Sequence, residues 1–442
     1  MRVIRFFAST FALLSGAPAF ALAPLPAKPD LVVARDGSGD FTSVQAAVQS
    51  IPRENHERKV ILIRDGLYEE KVRIDASCVT LRGESRAGAR IEFAWANSMG
   101  RDSIGQAVVN VNGDDVVLEN LTIKNTHGVL GVHAFAVYGR GDRTVIQDAD
   151  VLSQGNDTLS LWRTGNGQFS EDAANHTSPD GRYYHARLKV CGSVDFICPR
   201  GWCYMSDSEV TEVNPKTDAA MWHDGSRNQD MKFVMVRCRF EGPENFRLAR
   251  HHHDAMFFFI DCSFSKNLRD FAPYRVVYPL GGAAATEADR KRNQELDATN
   301  RWGARAYFSN SHREGGDYAW HRDNLASAPG APARDRITAR WTFAGTWDPE
   351  RTDGPKIMAV DSKTAGRMTV TFSEPVTAKG NPRLRFAGGE IAEIVGGSGT
   401  NKLEFSTKAS PGTTKPKLDF NGGTIIACEA GATLRVAEAK MP

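Results

Sequence analysis

A seven-residue pattern recurs six times between residues 117 and 264, and it constrains the fold more than any other feature of the chain. It begins as Val117-Leu118-Glu119-Asn120-Leu121-Thr122-Ile123 and returns at 145–151, 184–190, 204–210, 234–240 and 258–264. The fifth position is small or apolar (Leu121, Ala149, Leu188, Ser208, Cys238, Cys262), and the seventh is always apolar (Ile123, Val151, Val190, Val210, Phe240, Phe264). Side chains alternate across an extended backbone, so positions five and seven share a face. The copies start 28, 39, 20, 30 and 24 residues apart, with no helical period between them. Such spacing predicts coils of a parallel β-helix, with equivalent residues stacked about 4.8 Å apart. A β-sandwich is the competing arrangement. Variable spacing, few hairpin dipeptides and β-branched columns argue against it.

The chain of 442 residues is too long for one compact core, so two domains are expected. The β-helix is placed at 28–350. Beyond Asp353-Gly354-Pro355 the pattern changes to short alternating runs, such as Arg367-Met368-Thr369-Val370-Thr371-Phe372, separated by Gly, Pro and Asn turns. This predicts a small all-β sandwich at 355–442. Residues 410–416 read as a loop. The fold class is thus all-β throughout.

The first 21 residues read as a secretory signal: Arg2 and Arg5, a short apolar stretch, then Ala19-Phe20-Ala21 as a cleavage site. No run is long enough to span a bilayer. A secreted or periplasmic protein, with no membrane partner, is expected. A net charge of +2 does not suggest a nucleic-acid partner. Seven cysteines leave at least one unpaired, although Cys198 and Cys203 are close enough in sequence to pair. Without CxxC pairs no metal site is expected, and His251-His252-His253 lacks a partner cluster.

One stretch carries the chemistry. Residues 188–199 are apolar and rich in β-branched side chains, with the single carboxylate of Asp195 in their middle. An acid in such a run is costly unless something pairs with it. Asp195 lies five residues past Val190, and Asp157 lies six past Val151 on the preceding copy. Arg250 follows the copy that ends at Phe240. Stacked coils would bring all three to one side. Arg250 would then hold Asp195 ionised, and Asp157 would be pushed toward its protonated form. That division supplies a nucleophile and a general acid together. Asn156 and His133 are candidate oxyanion donors. The competing reading is a buried Asp–Arg pair that only fixes the coils.

These residues sit in motifs that resemble pectin methylesterases. Asp36-Gly37-Ser38-Gly39-Asp40-Phe41, Leu81-Arg82-Gly83-Glu84, Asp157-Thr158-Leu159, Gly192-Ser193-Val194-Asp195-Phe196-Ile197 and Leu248-Ala249-Arg250 all match, as does the closing Phe343-Ala344-Gly345-Thr346-Trp347. The similarity runs from about residue 30 to 350. It implies a right-handed parallel β-helix that hydrolyses galacturonate methyl esters of pectin without cofactor or metal. By motif, Asp195 is the nucleophile, Asp157 the acid and then base, and Arg250 the residue that orients the nucleophile. The C-terminal run resembles bacterial immunoglobulin-like modules of exported proteins. A monomer is expected.

Several positions depart from the family pattern. His133 and Asn156 stand where oxyanion glutamines usually fall, and Asn156 is one methylene shorter. His252 replaces a sugar-stacking tryptophan. With Phe196, Trp202, Trp222 and His223 it is a candidate wall of the substrate site. The polar stretch 164–180 is a candidate cleft wall. The alternatives are an esterase or thioesterase for another acyl group, or a non-catalytic polysaccharide-binding β-helix.

Overall fold

The computed structural model describes residues 28–440, except 101, 164–180, 217–218, 225–230, 253–254, 278, 280–282, 299–301, 365, 408–414 and 432–434. The expected signal segment, the polar stretch 164–180, His253 and most of the 410–416 loop lie outside the described residues.

The six sequence copies are six successive coils of a parallel β-helix, and they stack in the register the pattern predicts. Val117, Val145, Tyr184, Tyr204, Val234 and Phe258 each pair in parallel with the next, and Tyr307 continues the column. Ile123, Val151, Val190, Val210, Phe240 and Phe264 form a second column. Val60 and Thr80 extend the first column by two earlier coils. The register is kept although the copies start at unequal intervals along the chain.

Each coil contributes to three faces. Strand Ile197–Ser206 runs from the third face into the first, so among the described residues these two form one 17-stranded sheet beside a 9-stranded second face. The bend falls at Gly201, where a Cβ would lie 2.1 Å from the Gly181 carbonyl oxygen. The fourth residue of every copy makes the corner between the first and second faces. Asn120, Asp148, Arg187, Asp207, Arg237 and Asp261 all have φ between 50° and 54°. Asn and Asp tolerate this left-handed geometry, whereas arginine is strained in it by about 1–2 kcal/mol. Alternating sign along the column offsets the strain in part: Arg187 donates to Asp148 at 2.7 Å, and Arg237 to Asp207 at 2.6 Å.

The interior is continuous along the helix and becomes aromatic toward its C-terminal end, where Phe259 and Phe308 stack at 4.9 Å. Cys238 and Cys262 are buried neighbours in the fifth-position column. Cys198 and Cys203 do not pair, because Cys203 joins the core and Cys198 an outer aromatic cluster. Helix Val44–Gln49 covers the first coils with Val44, Ala47 and Val48.

Among the described residues, the chain from Ile357 onward forms a seven-stranded antiparallel sheet around Val370, Phe372, Leu403 and Phe405. Strand Arg367–Lys379 shifts register between Thr371 and Val376. Its first part pairs with Ile357–Thr364 and its last with Thr424–Ala427. That bend lets one sheet close over its own core, as a sandwich requires. Fully buried Arg58 joins it to the β-helix, donating to the Cys428 carbonyl and, at 2.6 Å, to that of Asp115.

Candidate active site

Asp157 and Asp195 lie at the same corner of successive coils, between the second and third faces. Leu159 pairs with Ile197, and each acid stands two residues before its member of that pair. Both corners are left-handed, with φ of 56° and 51°. The amide of Asp157 donates to the Val194 carbonyl at 3.0 Å, and that of Asp195 to the Ala219 carbonyl at 2.8 Å. Asp195 is therefore a corner residue and not the middle of a strand; the apolar stretch around it divides into Lys189–Gly192 and Ile197–Ser206. The unequal offsets of five and six residues converge because the turn before Asp157 holds one extra residue. Gly155 lets that turn pack closely, since a Cβ there would meet Ala134 Cβ at 2.5 Å.

Gly192 has a related role. A Cβ on it would lie 2.3 Å from both Phe196 Cβ and Thr158 Oγ1. Phe196 thus packs inward against the bare glycine backbone, and Asp195 is turned outward beside it.

Arg250 grips Asp195 with two donors. Its Nε reaches Oδ1 at 2.8 Å, and its Nη2 contacts Oδ2. The guanidinium lies 4.5 Å over the Trp222 ring, which fixes its plane. The Asp195 side chain is only 6% exposed, so its negative charge is held by a planar fork at the cleft wall. Asp157 is equally buried, and its Oδ2 contacts Nδ1 of half-exposed His133. That contact pushes the His133 imidazolium pKa above its ordinary value, aided by the charges of Asp157 and Asp195 and opposed by desolvation. Asn156 is held next to His133 by a parallel bridge and donates to the Gly131 carbonyl at 3.2 Å.

These groups open into a cleft of about 380 Å³. Its floor is aromatic. Phe135 packs on Tyr138 with ring centroids 5.2 Å apart, and Tyr138 meets Trp162 edge-on at 5.5 Å. Trp162 donates from Nε1 to the Cys198 carbonyl at 2.9 Å, and Arg200 lies 3.8 Å over its ring. Asn97 and Gln106 complete the polar rim. A carboxylate gripped by a guanidinium, a second carboxyl in contact with an imidazole, and a ring-stacking floor suit nucleophilic attack on an acyl group carried by a sugar.

Of the residues expected at the site, Asp157, Asp195, Arg250, Asn156, His133 and Trp222 line this one cleft. Phe196 does not: it is wholly buried in the β-helix core. Trp202 does not either, because the bend at Gly201 carries it onto the first face beside Tyr184 and Tyr204. His133, expected as an oxyanion donor, instead has Nδ1 on the acid. The backbone of His223 pairs with His251 and that of His252 with Asp224, one strand apart; the His223 and His252 side chains lie outside the described residues. Sequence reasoning missed Phe135, Tyr138, Trp162 and Arg200. All four stand on third-face strand segments, Phe135–Gly139, Leu159–Trp162 and the start of Ile197–Ser206, where outward aromatic residues adjoin buried apolar ones.

Among the described residues no group of His, Cys, Asp and Glu could hold a metal ion, and no helix is long and apolar enough to cross a membrane.

The Pectinesterase family model matches residues 30–258. A pectinesterase of Petunia integrifolia is 28% identical over 191 residues, 43% of this chain and 46% of that protein. The chain spans less than half the length of the first curated relatives it matches. Among solved structures, pectin methylesterase PemA from Erwinia chrysanthemi superposes with a TM-score of 0.55 at 18% identity, covering 73% of this chain and 98% of that one. A pectin methylesterase in complex with a hexasaccharide gives 0.54 at 18% identity, over 73% and 99%. The structural likeness carries the right-handed parallel β-helix, and the sequence match, over just over half of the chain, places it in the pectinesterase family.

Proposed function

We propose that this protein hydrolyses galacturonate methyl esters in pectin, releasing methanol and leaving free carboxylates. The observation that carries this reading is the stacking of Asp157 on Asp195 in one cleft, with Arg250 forked onto Asp195. The structure of a related pectin methylesterase with a hexasaccharide supports an oligosaccharide occupant of such a cleft.

Asp195 attacks the ester carbonyl carbon, and Arg250 keeps one carboxylate oxygen aimed and charged. The carbonyl π electrons move to oxygen, for which the Asn156 amide in the cleft wall is a candidate donor. Collapse expels the methoxy group, which takes the proton held between Asp157 and His133 and leaves as methanol. The resulting anhydride joins the Asp195 carboxyl to the galacturonate acyl carbon. Asp157, now a base, takes a proton from water as that water attacks the acyl carbon. Asp195 departs as carboxylate, and the Asp157–His133 pair regains its proton.

The protein would act outside the cytoplasm as a monomer, with the β-helix at 28–350 as catalytic domain. The sheet at 355–442 would serve as a stabilising appendage. Methanol release from highly methylated pectin tests the proposal. Release from that substrate and none from de-esterified pectin is expected. Turnover of acetyl or thioester substrates without methanol release would instead favour another acyl substrate. Binding of pectin with no turnover that Asp195→Ala abolishes would favour a polysaccharide-binding β-helix.

A further inference from the structure

Arg58 lies between two cysteines, one on the β-helix and one on the C-terminal sheet. On the β-helix side, the Lys59 amide donates to the Cys78 carbonyl at 2.8 Å, and Lys59 pairs with Val79. Arg58 and Cys78 thus stand side by side on neighbouring coils, about 4.8 Å apart in the ladder direction. On the sheet side, the Arg58 guanidinium contacts the Cys428 carbonyl, and the Arg58 amide donates to Thr377 Oγ1 at 2.6 Å. Thr377 Oγ1 in turn lies 3.1 Å from Cys428 Sγ. Cys78 immediately precedes strand Val79–Gly83, and Cys428 follows strand Thr424–Ala427. The two thiols therefore meet across the junction, far apart in sequence, and hydrogen-bond to one another. Both residues are buried, at 7% and 4% exposure. Their mutual contact lowers the Cys428 pKa, helped by Thr377 and the Arg58 charge and opposed by burial, and it raises that of Cys78. Cys428 is accordingly the sulfur that reacts first. Cys238 and Cys262 are neighbours as well, but they belong to the closed interior of the β-helix, where their thiols donate to the Met205 and Met235 carbonyls at 3.6 and 3.5 Å.

We propose that Cys78 and Cys428 are a disulfide-forming pair that bolts the C-terminal sheet covalently to the β-helix. The oxidant is a disulfide, either a small molecule such as oxidised glutathione or a protein of the same chemistry. The Cys428 thiolate attacks one sulfur of that disulfide, forming a mixed disulfide and expelling the other sulfur as a thiolate. The Cys78 thiolate then attacks Cys428 Sγ, forming the Sγ–Sγ bond and expelling the second thiolate. Each cysteine gives up one proton and one electron, and the oxidant leaves as two thiols. With both sulfurs buried once the sheet is seated, the bond forms as the sheet docks, and the same burial then shields it from reductants. Because the bond closes a loop over most of the chain, it restricts the unfolded state strongly.

The test refolds the full chain in reduced and oxidised glutathione at a ratio of about 10:1, then denatures and alkylates it without further reductant. Peptide mapping should find Cys78 joined to Cys428 and the other five cysteines alkylated. Protease cleavage within 351–356 should leave two fragments that stay together in denaturant and separate when a reductant is added. Reducing the wild type should lower the unfolding midpoint of the C-terminal sheet by about 5–10 °C. Cys428→Ser should show the lower midpoint with and without reductant, and should free Cys78 for alkylation. If that variant does not fold, the wild-type peptide map and the cleaved fragments decide alone. Alkylation of both Cys78 and Cys428 in the refolded wild type, or linkage of either to another cysteine, would overturn the proposal. So would fragments that separate without reductant.

Discussion

Asp157 and Asp195 share one register position on neighbouring coils, each two residues before the paired Leu159 and Ile197. Both sit at left-handed corners, so each backbone turns its carboxylate away from the core while the following residue turns in. The two acids then differ only in partner: a permanently charged fork on Asp195, a titratable imidazole on Asp157. In the proposed mechanism it is these neighbours, more than the shared corner geometry, that would divide the pair into nucleophile and proton carrier.

Asp195→Asn and Asp157→Asn should therefore both abolish activity by different routes. The amide at 195 cannot attack, and methanol release should fall by at least about 10³. The amide at 157 cannot carry the proton, and a fall of about 10²–10⁴ is expected. Single-turnover methanol release separates them, since Asp157→Asn can still form a slow acyl intermediate. Wild-type rates in either variant would remove these residues from the chemistry.

The His133–Asp157 contact sets the pH dependence. His133 has a raised pKa, first because Asp157 accepts its proton in a hydrogen bond. Below that pKa the pair holds the proton that methoxide needs; above it the proton is lost. Activity should decline as pH rises from about 6.5 through the raised value. His133→Gln should remove this step from the kcat profile. A profile unchanged by His133→Gln would assign the titration elsewhere.

His185 provides a stability test remote from the cleft. It is 1% exposed on the first face, between Ile146 and Met205 in the ladder. Burial among apolar side chains lowers its pKa to about 3. The unfolded chain, with a histidine near 6.5, then binds more protons than the folded one between those values. Its contribution is complete above about pH 6.5 and is lost as pH falls toward 3. His185→Met should flatten the decline of the unfolding midpoint over that interval, measured by thermal denaturation.

The coils were legible because the seven-residue pattern reports two faces of the β-helix at once. The third face was hidden. Its strands, such as Phe135–Gly139 and Leu159–Trp162, are brief and carry aromatic residues outward as well as apolar ones inward. Motif spacing located Asp157, Asp195 and Arg250, but proximity in sequence misled for Phe196 and Trp202. A left-handed corner reverses the next side chain, which sends Phe196 into the core beside the very acid it follows. A bend at Gly201 moves Trp202 to another face. Neither reversal is written in alternation alone. The contact of His133 with Asp157 depends on where the preceding coil lies, which no single segment specifies.

Arg58 tests whether the C-terminal sheet is integral to the β-helix. Its side chain is fully buried and joins the Asp115 and Cys428 carbonyls, while its amide donates to Thr377 Oγ1 at 2.6 Å. The Ala430 amide adds a bond to Asp115 at 3.0 Å, and Trp347 donates to the Ala430 carbonyl at 2.8 Å. Arg58→Ala leaves two buried carbonyls without their donor, a cost of about 1–3 kcal/mol each, beyond the lost packing. The loss falls on the junction and not on either core. Calorimetry should show the C-terminal sheet melting separately and at a lower temperature, with protease cleavage near residues 351–356. The β-helix transition and methanol release should change little. One unchanged, concerted transition in Arg58→Ala would mean that the remaining contacts, such as Ala430 to Asp115 and Trp347 to Ala430, suffice to hold the two parts together.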